Sequence, residues 1–90
     1  MSDRAVDSFL ALTATRLAPR TVDAYGRDLA DLGAFLTGSP ADATGEDLAA
    51  YLASLRARGL ASTTIARRVA ALRAFYRHQM LLGARADNPA

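Results

Sequence analysis

The 90-residue sequence has no cysteine, lysine or tryptophan, and only one histidine and one glutamate. Without cysteine there is no disulfide framework and no thiolate metal site, and the chain suits a reducing cytoplasm. His78 has neither a second histidine nor a carboxylate at ligand spacing, so no metal is expected and the side chain is read as a surface helical histidine. Among the nine acids, no carboxylate pair is set apart in an apolar setting for acid and base roles. Glycine-rich phosphate loops, GxSxG elbows and HExxH helices are all missing. There is no apolar run of about twenty residues, and the opening MSDRAVDSF has no basic region leading into an apolar core. These absences predict a chain that is not an enzyme in itself, uses no cofactor, contacts no membrane and resides in the cytoplasm.

What the chain does contain is alanine and arginine. Twenty-one of the 46 apolar residues are alanine, which leaves 25 sizeable side chains and favours closely packed helices over a thick sheet core. The expectation is one small all-α bundle. All eleven basic residues are arginine, read mainly as a compositional bias of the source genome, with base recognition the lesser reading. Residues 1–43 hold four Arg and six Asp, and residues 44–90 hold seven Arg and three acids, so the halves carry −2 and +4. Between positions 56 and 85 seven arginines occur with no acid, a distribution that suits a polyanionic partner.

Four helices are predicted. Residues 3–14 place Val6, Phe9, Leu10 and Thr13 on one side, with Ser2 or Asp3 as cap. Residues 20–36 follow Pro19 and carry Val22, Tyr25, Leu29, Leu32 and Leu36 at steps of three and four. Arg20 and Arg27 lie opposite that stripe, with Asp23 and Asp31 spaced to pair with Arg27; a solvated face and a phosphate-contacting face are both open readings. The polar stretch TGSPADATG is a loop between helices. Thr44 and Asp47 resemble a capping box before a third helix bearing Leu48, Tyr51, Leu52 and Leu55, which Gly59 ends. Arg56 and Arg58 fall in its last turn, where the helix C-terminus favours a cation.

The fourth helix, within residues 60–83, organises the rest. Ser62 is its expected N-cap, and Ile65, Val69, Leu72 and Tyr76 form its buried stripe. At about 100° per residue, Arg67, Ala70, Ala71 and Ala74 fall opposite that stripe, and Arg68, Arg73 and Arg77 flank it. Thr63 and Thr64 put hydroxyls at the helix N-terminus, where the macrodipole favours phosphate. Short alanines around an outward Arg67 would let this helix approach a major groove. Tyr25, Tyr51 and Tyr76 each lie on an apolar stripe and are read as core, not as nucleophiles.

Three stretches together carry a family resemblance: T-x-x-x-Y-x-x-D-L at residues 21–29, L-x-x-x-T-I-A-R-R-V-A-A-L-R-x-F-Y-R at residues 60–77, and the closing Asn88-Pro89. In this order and spacing the chain resembles the N-terminal core-binding domain of Xer-type tyrosine recombinases and related phage integrases. The resemblance implies a four-helix SAM-like bundle, a DNA-binding domain of a site-specific tyrosine recombinase, at residues 1–87. Residues 88–90 would start a linker to a C-terminal catalytic domain that holds the catalytic tyrosine and arginines. It implies double-stranded DNA as partner, the second and fourth helices in the major groove, and a tetramer on paired sites with the first helix touching neighbouring subunits. On that reading Arg67 is the foremost candidate for a base edge, with Arg20, Thr21, Arg27, Thr63, Thr64, Arg68 and Arg73 on the phosphate backbone. The competing reading is a helical protein-interaction or oligomerisation module whose arginine-rich face meets an acidic protein.

Overall fold

A computed structural model describes residues 3–90. Its four helices are α1 (Arg4–Thr13), α2 (Pro19–Phe35), α3 (Gly45–Ala57) and α4 (Ser62–Leu81), with a 3₁₀ turn at Pro40–Asp42 and no strand among the described residues. Local chemistry sets most of the boundaries. Asp3 caps α1 by accepting from the Val6 N–H at 3.1 Å; Ser2 lies outside the described residues. Pro19 opens α2 at a position where its missing N–H costs nothing. The α3 capping box is complete: the Asp47 N–H donates to Thr44 Oγ1 at 3.1 Å, and the Thr44 N–H donates to Asp47 Oδ2 at 2.9 Å.

Two helices end in the same way. After α3, Gly59 adopts φ +79°, its N–H bonds the Arg56 carbonyl, and the Leu60 N–H reaches back to the Leu55 carbonyl. After α4, Gly83 adopts φ +71°, and Gly83 and Ala84 repeat that pattern on Met80 and Gln79. Both are Schellman caps, in which a side chain at the left-handed position is disfavoured. Gly59→Ala, whose new methyl would meet open space, is expected to cost about 1 kcal/mol in urea unfolding from backbone strain alone.

The core is drawn from all four helices: Phe9 of α1, Leu29 and Leu32 of α2, Leu48, Tyr51 and Leu55 of α3, and Ala71, Leu72, Phe75 and Tyr76 of α4. Helix α4 packs against each of the other three. Its buried face differs from the one predicted. Ala71 and Phe75 are fully buried and Gln79 nearly so, whereas Ile65 and Val69 are only half-buried. The true face is turned by roughly 50° about the helix axis from the Ile65–Tyr76 stripe. Ala71 and Ala74 therefore belong to the packed side, and only Ala70 of the three alanines is exposed. His78 also departs from expectation: its ring packs 5.5 Å from that of Phe9, so it is part of the α1–α4 contact and not a surface side chain.

The connection between α2 and α3 is more than a tether. Pro40 and Ala43 are buried, and the Tyr76 hydroxyl donates to the Pro40 carbonyl at 2.7 Å. Arg85 donates to the carbonyls of Ala41 and Ala43 at 3.0 and 2.8 Å, with its guanidinium 5.0 Å from the centre of the Tyr76 ring. Residues 84–90 thus lie back along the bundle.

Candidate nucleic-acid interface

Helices α2 and α4 meet along two rows. On α2, Asp28 stands one turn before Leu32; on α4, Arg67 stands one turn before Ala71. Leu32 and Ala71 are fully buried, so the charged ends of the two rows are brought together at the helix contact. Asp28 is itself 3% exposed, and Arg67 grips it with a fork, Nη1 to Oδ2 at 2.8 Å and Nη2 to Oδ1 at 3.3 Å. Arg67 consequently sits on the rim of the α2–α4 contact, half-exposed, and does not point away from the core as the helical wheel suggested.

A second carboxylate extends the cluster. Asp31 accepts from the Tyr51 hydroxyl at 2.6 Å, from Arg68 Nη1 at 2.8 Å and from Arg58 Nη1 at 3.0 Å. Arg68 is mostly buried, bonds the Tyr51 oxygen at 3.3 Å, and places Nε 3.8 Å from Asp28 Oδ1. Two carboxylates and three guanidiniums therefore leave one net positive charge where α2, α3 and α4 converge. The sequence pairing of Asp31 with Arg27 is overturned: Asp31 turns towards α3 and α4, and Arg27 has no ion pair among the described residues.

This setting moves two titrations in opposite directions. Burial works to raise Asp31, but hydrogen bonds from Tyr51 and Arg58 and the charges of Arg58 and Arg68 outweigh it and hold the carboxyl below its ordinary range. Burial first, and the Asp31 hydrogen bond second, push the Tyr51 phenol up to about 12. Burial likewise takes Tyr76 to about 12. For Asp31 the folded form binds its proton less readily than the unfolded form, so its contribution to stability is present above the unfolded value and lost as pH falls through the folded one. For Tyr51 and Tyr76 the unfolded phenol ionises near 10 while the folded one holds its proton to about 12, so stability is retained below pH 10 and lost as pH rises from 10 to 12. A pH series of thermal melts is expected to show that alkaline fall, with phenolate absorbance from these two tyrosines rising only as the helices unfold.

The remaining candidates divide into free and engaged. Arg20 and Arg27, two turns apart on α2, are exposed and without ion pairs among the described residues; Thr21 is half-buried beside Arg20. Thr63 is exposed and Thr64 half-buried in the first turn of α4. The N-cap there is Ala61 and not Ser62, and no side chain caps the helix. Arg73 is exposed and donates to the Ala90 carbonyl at 3.2 Å. Of the seven arginines in the acid-free run, Arg58, Arg67 and Arg68 are countered by the α2 aspartates and Arg85 by Asp87. The bare positive stretch is therefore weaker in space than in sequence. Asp28, Asp31 and Tyr51 were missed as partners; the available signal was an aspartate on the buried Leu32 row facing adjacent arginines.

Among the described residues no three His, Cys, Asp or Glu side chains group to hold a metal ion, and no helix is long and apolar enough to cross a membrane. No solved structure matches the chain significantly. Curated relatives do: the chain is 47% identical over 75 residues to the tyrosine recombinase XerD of Bradyrhizobium diazoefficiens, covering 80% of this chain and 24% of that protein. It is 46% identical over 88 residues to XerD of Caulobacter vibrioides, covering 92% and 29%. With the tyrosine recombinase XerC of Alcanivorax borkumensis the identity is 40% over 88 residues, covering 94% and 29%. The chain thus spans less than a third of the length of these relatives. Residues 6–82, which run from within α1 to just past α4, match the family described as phage integrase, N-terminal SAM-like domain, and the four-helix chain belongs to that family.

Proposed function

We propose that this chain is the DNA-holding domain of a site-specific tyrosine recombinase, with α2 and the N-terminal half of α4 laid against the major groove of a half-site. The observation that carries the reading is the cationic edge these two helices share: Arg20 and Arg27 on α2, without ion pairs among the described residues, and on α4 an N-terminus that no described side chain caps, followed within two turns by the half-exposed Arg67. Backbone N–H groups at such a terminus donate to a phosphate, and a half-exposed guanidinium reaches a base edge. Arg68 has another role. It is held among Asp31, Tyr51 and Asp28, and it fixes α4 against α2 and α3 so that the edge keeps its shape.

Strand transfer itself would fall to residues outside this chain. Tyr51 and Tyr76 are buried with their hydroxyls committed to Asp31 and Pro40, which leaves neither able to attack a phosphodiester. The Xer relatives favour a parent that recombines paired DNA sites as an assembly of subunits.

The test is a fluorescence-anisotropy titration of labelled duplex at several salt concentrations. Replacing Arg20 and Arg27 with alanine is expected to weaken binding and to flatten the plot of log K against log salt by about 0.9 per lost phosphate contact. Absence of duplex binding even at low salt would sink the proposal and favour the protein-interaction reading.

A further inference from the structure

We infer that Asp28 is a latch for Arg67, holding its guanidinium against α2 in the free protein and passing to Arg68 when Arg67 turns outward onto DNA. The inference rests on the DNA-binding reading and adds a control element to that site. Both terminal nitrogens of Arg67 donate to Asp28, so the end-on fork that would pair with a guanine edge or a phosphate is occupied, leaving the Nε–H and the outer N–H groups. That end-on fork cannot serve Asp28 and DNA at once.

Release ordinarily carries a heavy penalty, because a buried carboxylate left without its cation is strongly destabilising. Here a second cation is already waiting. Arg68 Nε is buried, has no hydrogen-bond partner among the described residues, and stands 3.8 Å from Asp28 Oδ1. The rest of Arg68 is fixed through Nη1 to Asp31 and to Tyr51, so a shift of about 1 Å by the Asp28 carboxylate brings it into ordinary hydrogen-bond range of that donor. Departure of Arg67 thereby removes one orphaned donor instead of creating an orphaned charge. Asp28 keeps a cation in either state, and the half-exposed Arg67 is the member free to move.

Two measurements on the 90-residue chain test the latch. The first compares duplex affinity and its salt slope for the unaltered chain, Asp28→Asn, Arg67→Gln and the double variant, each checked for its helical signal. With the latch, Asp28→Asn raises affinity roughly five- to tenfold, and Arg67→Gln abolishes that gain in the double variant. A gain that survives Arg67→Gln overturns the latch, since it then reflects only the lost negative charge. If the unaltered chain fails to bind duplex at low salt, the DNA-binding reading falls and the latch with it. The second measurement needs no variant and so does not depend on Asp28→Asn folding. In the ¹⁵N spectrum of arginine side chains, adding duplex is expected to shift the Arg68 Nε–H and slow its exchange with water. Shifts in backbone amides with Arg68 Nε–H unchanged would overturn the latch and leave DNA binding intact.

Discussion

Phe75→Ala is expected to lose about 3 to 5 kcal/mol in urea unfolding, close to half of what a domain of this size has in total. The side chain is fully buried at the centre of α4 and touches aromatic neighbours on two sides. The Phe9 ring meets it edge-on at 5.5 Å and 81°, and the Tyr76 ring lies 5.1 Å away at 68°. Such pairs contribute about 0.5 to 1.5 kcal/mol beyond the area they bury. Removing the ring opens a cavity between α1 and α4 that a bundle rich in alanine has few large side chains to fill. Phe75→Leu keeps most of the volume and is expected to cost about 1.5 kcal/mol or less. A loss below 1 kcal/mol for the alanine variant would show that α1 and α4 are not joined through this ring.

Arg68→Ala is expected to act on folding first, lowering stability by roughly 2 to 4 kcal/mol, with any weakening of the proposed DNA binding only as a consequence. The guanidinium is mostly buried and, among the described residues, is the one cation that faces both Asp28 and Asp31. Removing it leaves Asp28 to Arg67 and Asp31 to the more exposed Arg58, and it strips the Tyr51 oxygen of a donor. Arg68→Lys keeps the charge but not the planar fork and is expected to restore only part of the loss. The two roles separate cleanly by experiment. A phosphate-contacting arginine on a solvated face would leave the urea midpoint unmoved and reduce the salt slope; this residue is expected to move the midpoint substantially.

The contrast between what was and was not legible in the sequence follows from range. The Thr44 box, the Gly59 stop, Pro19 and the four helices themselves depend on residues within a few positions of one another, and all are as predicted. The bundle and its family were readable for the same reason, because the motifs at residues 21–29 and 60–77 each lie within or at the start of a single helix. The orientation of α4 was not. Its wheel was anchored on Ile65 and Val69, two β-branched residues that lie at the margin of the contact, while small Ala71 and polar Gln79 are buried because other helices happen to cover them. Arg67 was misplaced with that wheel. The pairing of Asp28 with Arg67 spans 39 residues, and no cation three or four positions from Asp28 along α2 offers a local partner in its place. Arg20 and Arg27, which have no such distant partner among the described residues, are exposed on α2 as the wheel put them.

The 3₁₀ turn between α2 and α3 gathers hydrogen bonds from both ends of the chain: Ser39 to Asp3 at 2.6 Å, the Pro40 carbonyl from Tyr76, and the Ala41 and Ala43 carbonyls from Arg85. The partners are separated by 36 to 44 residues, so each contact closes a long loop whose entropy must be lost before the bond can form. The turn is therefore a keystone: it ties the cap of α1, the buried side of α4 and the C-terminal segment to one point, so a change there loosens all three together.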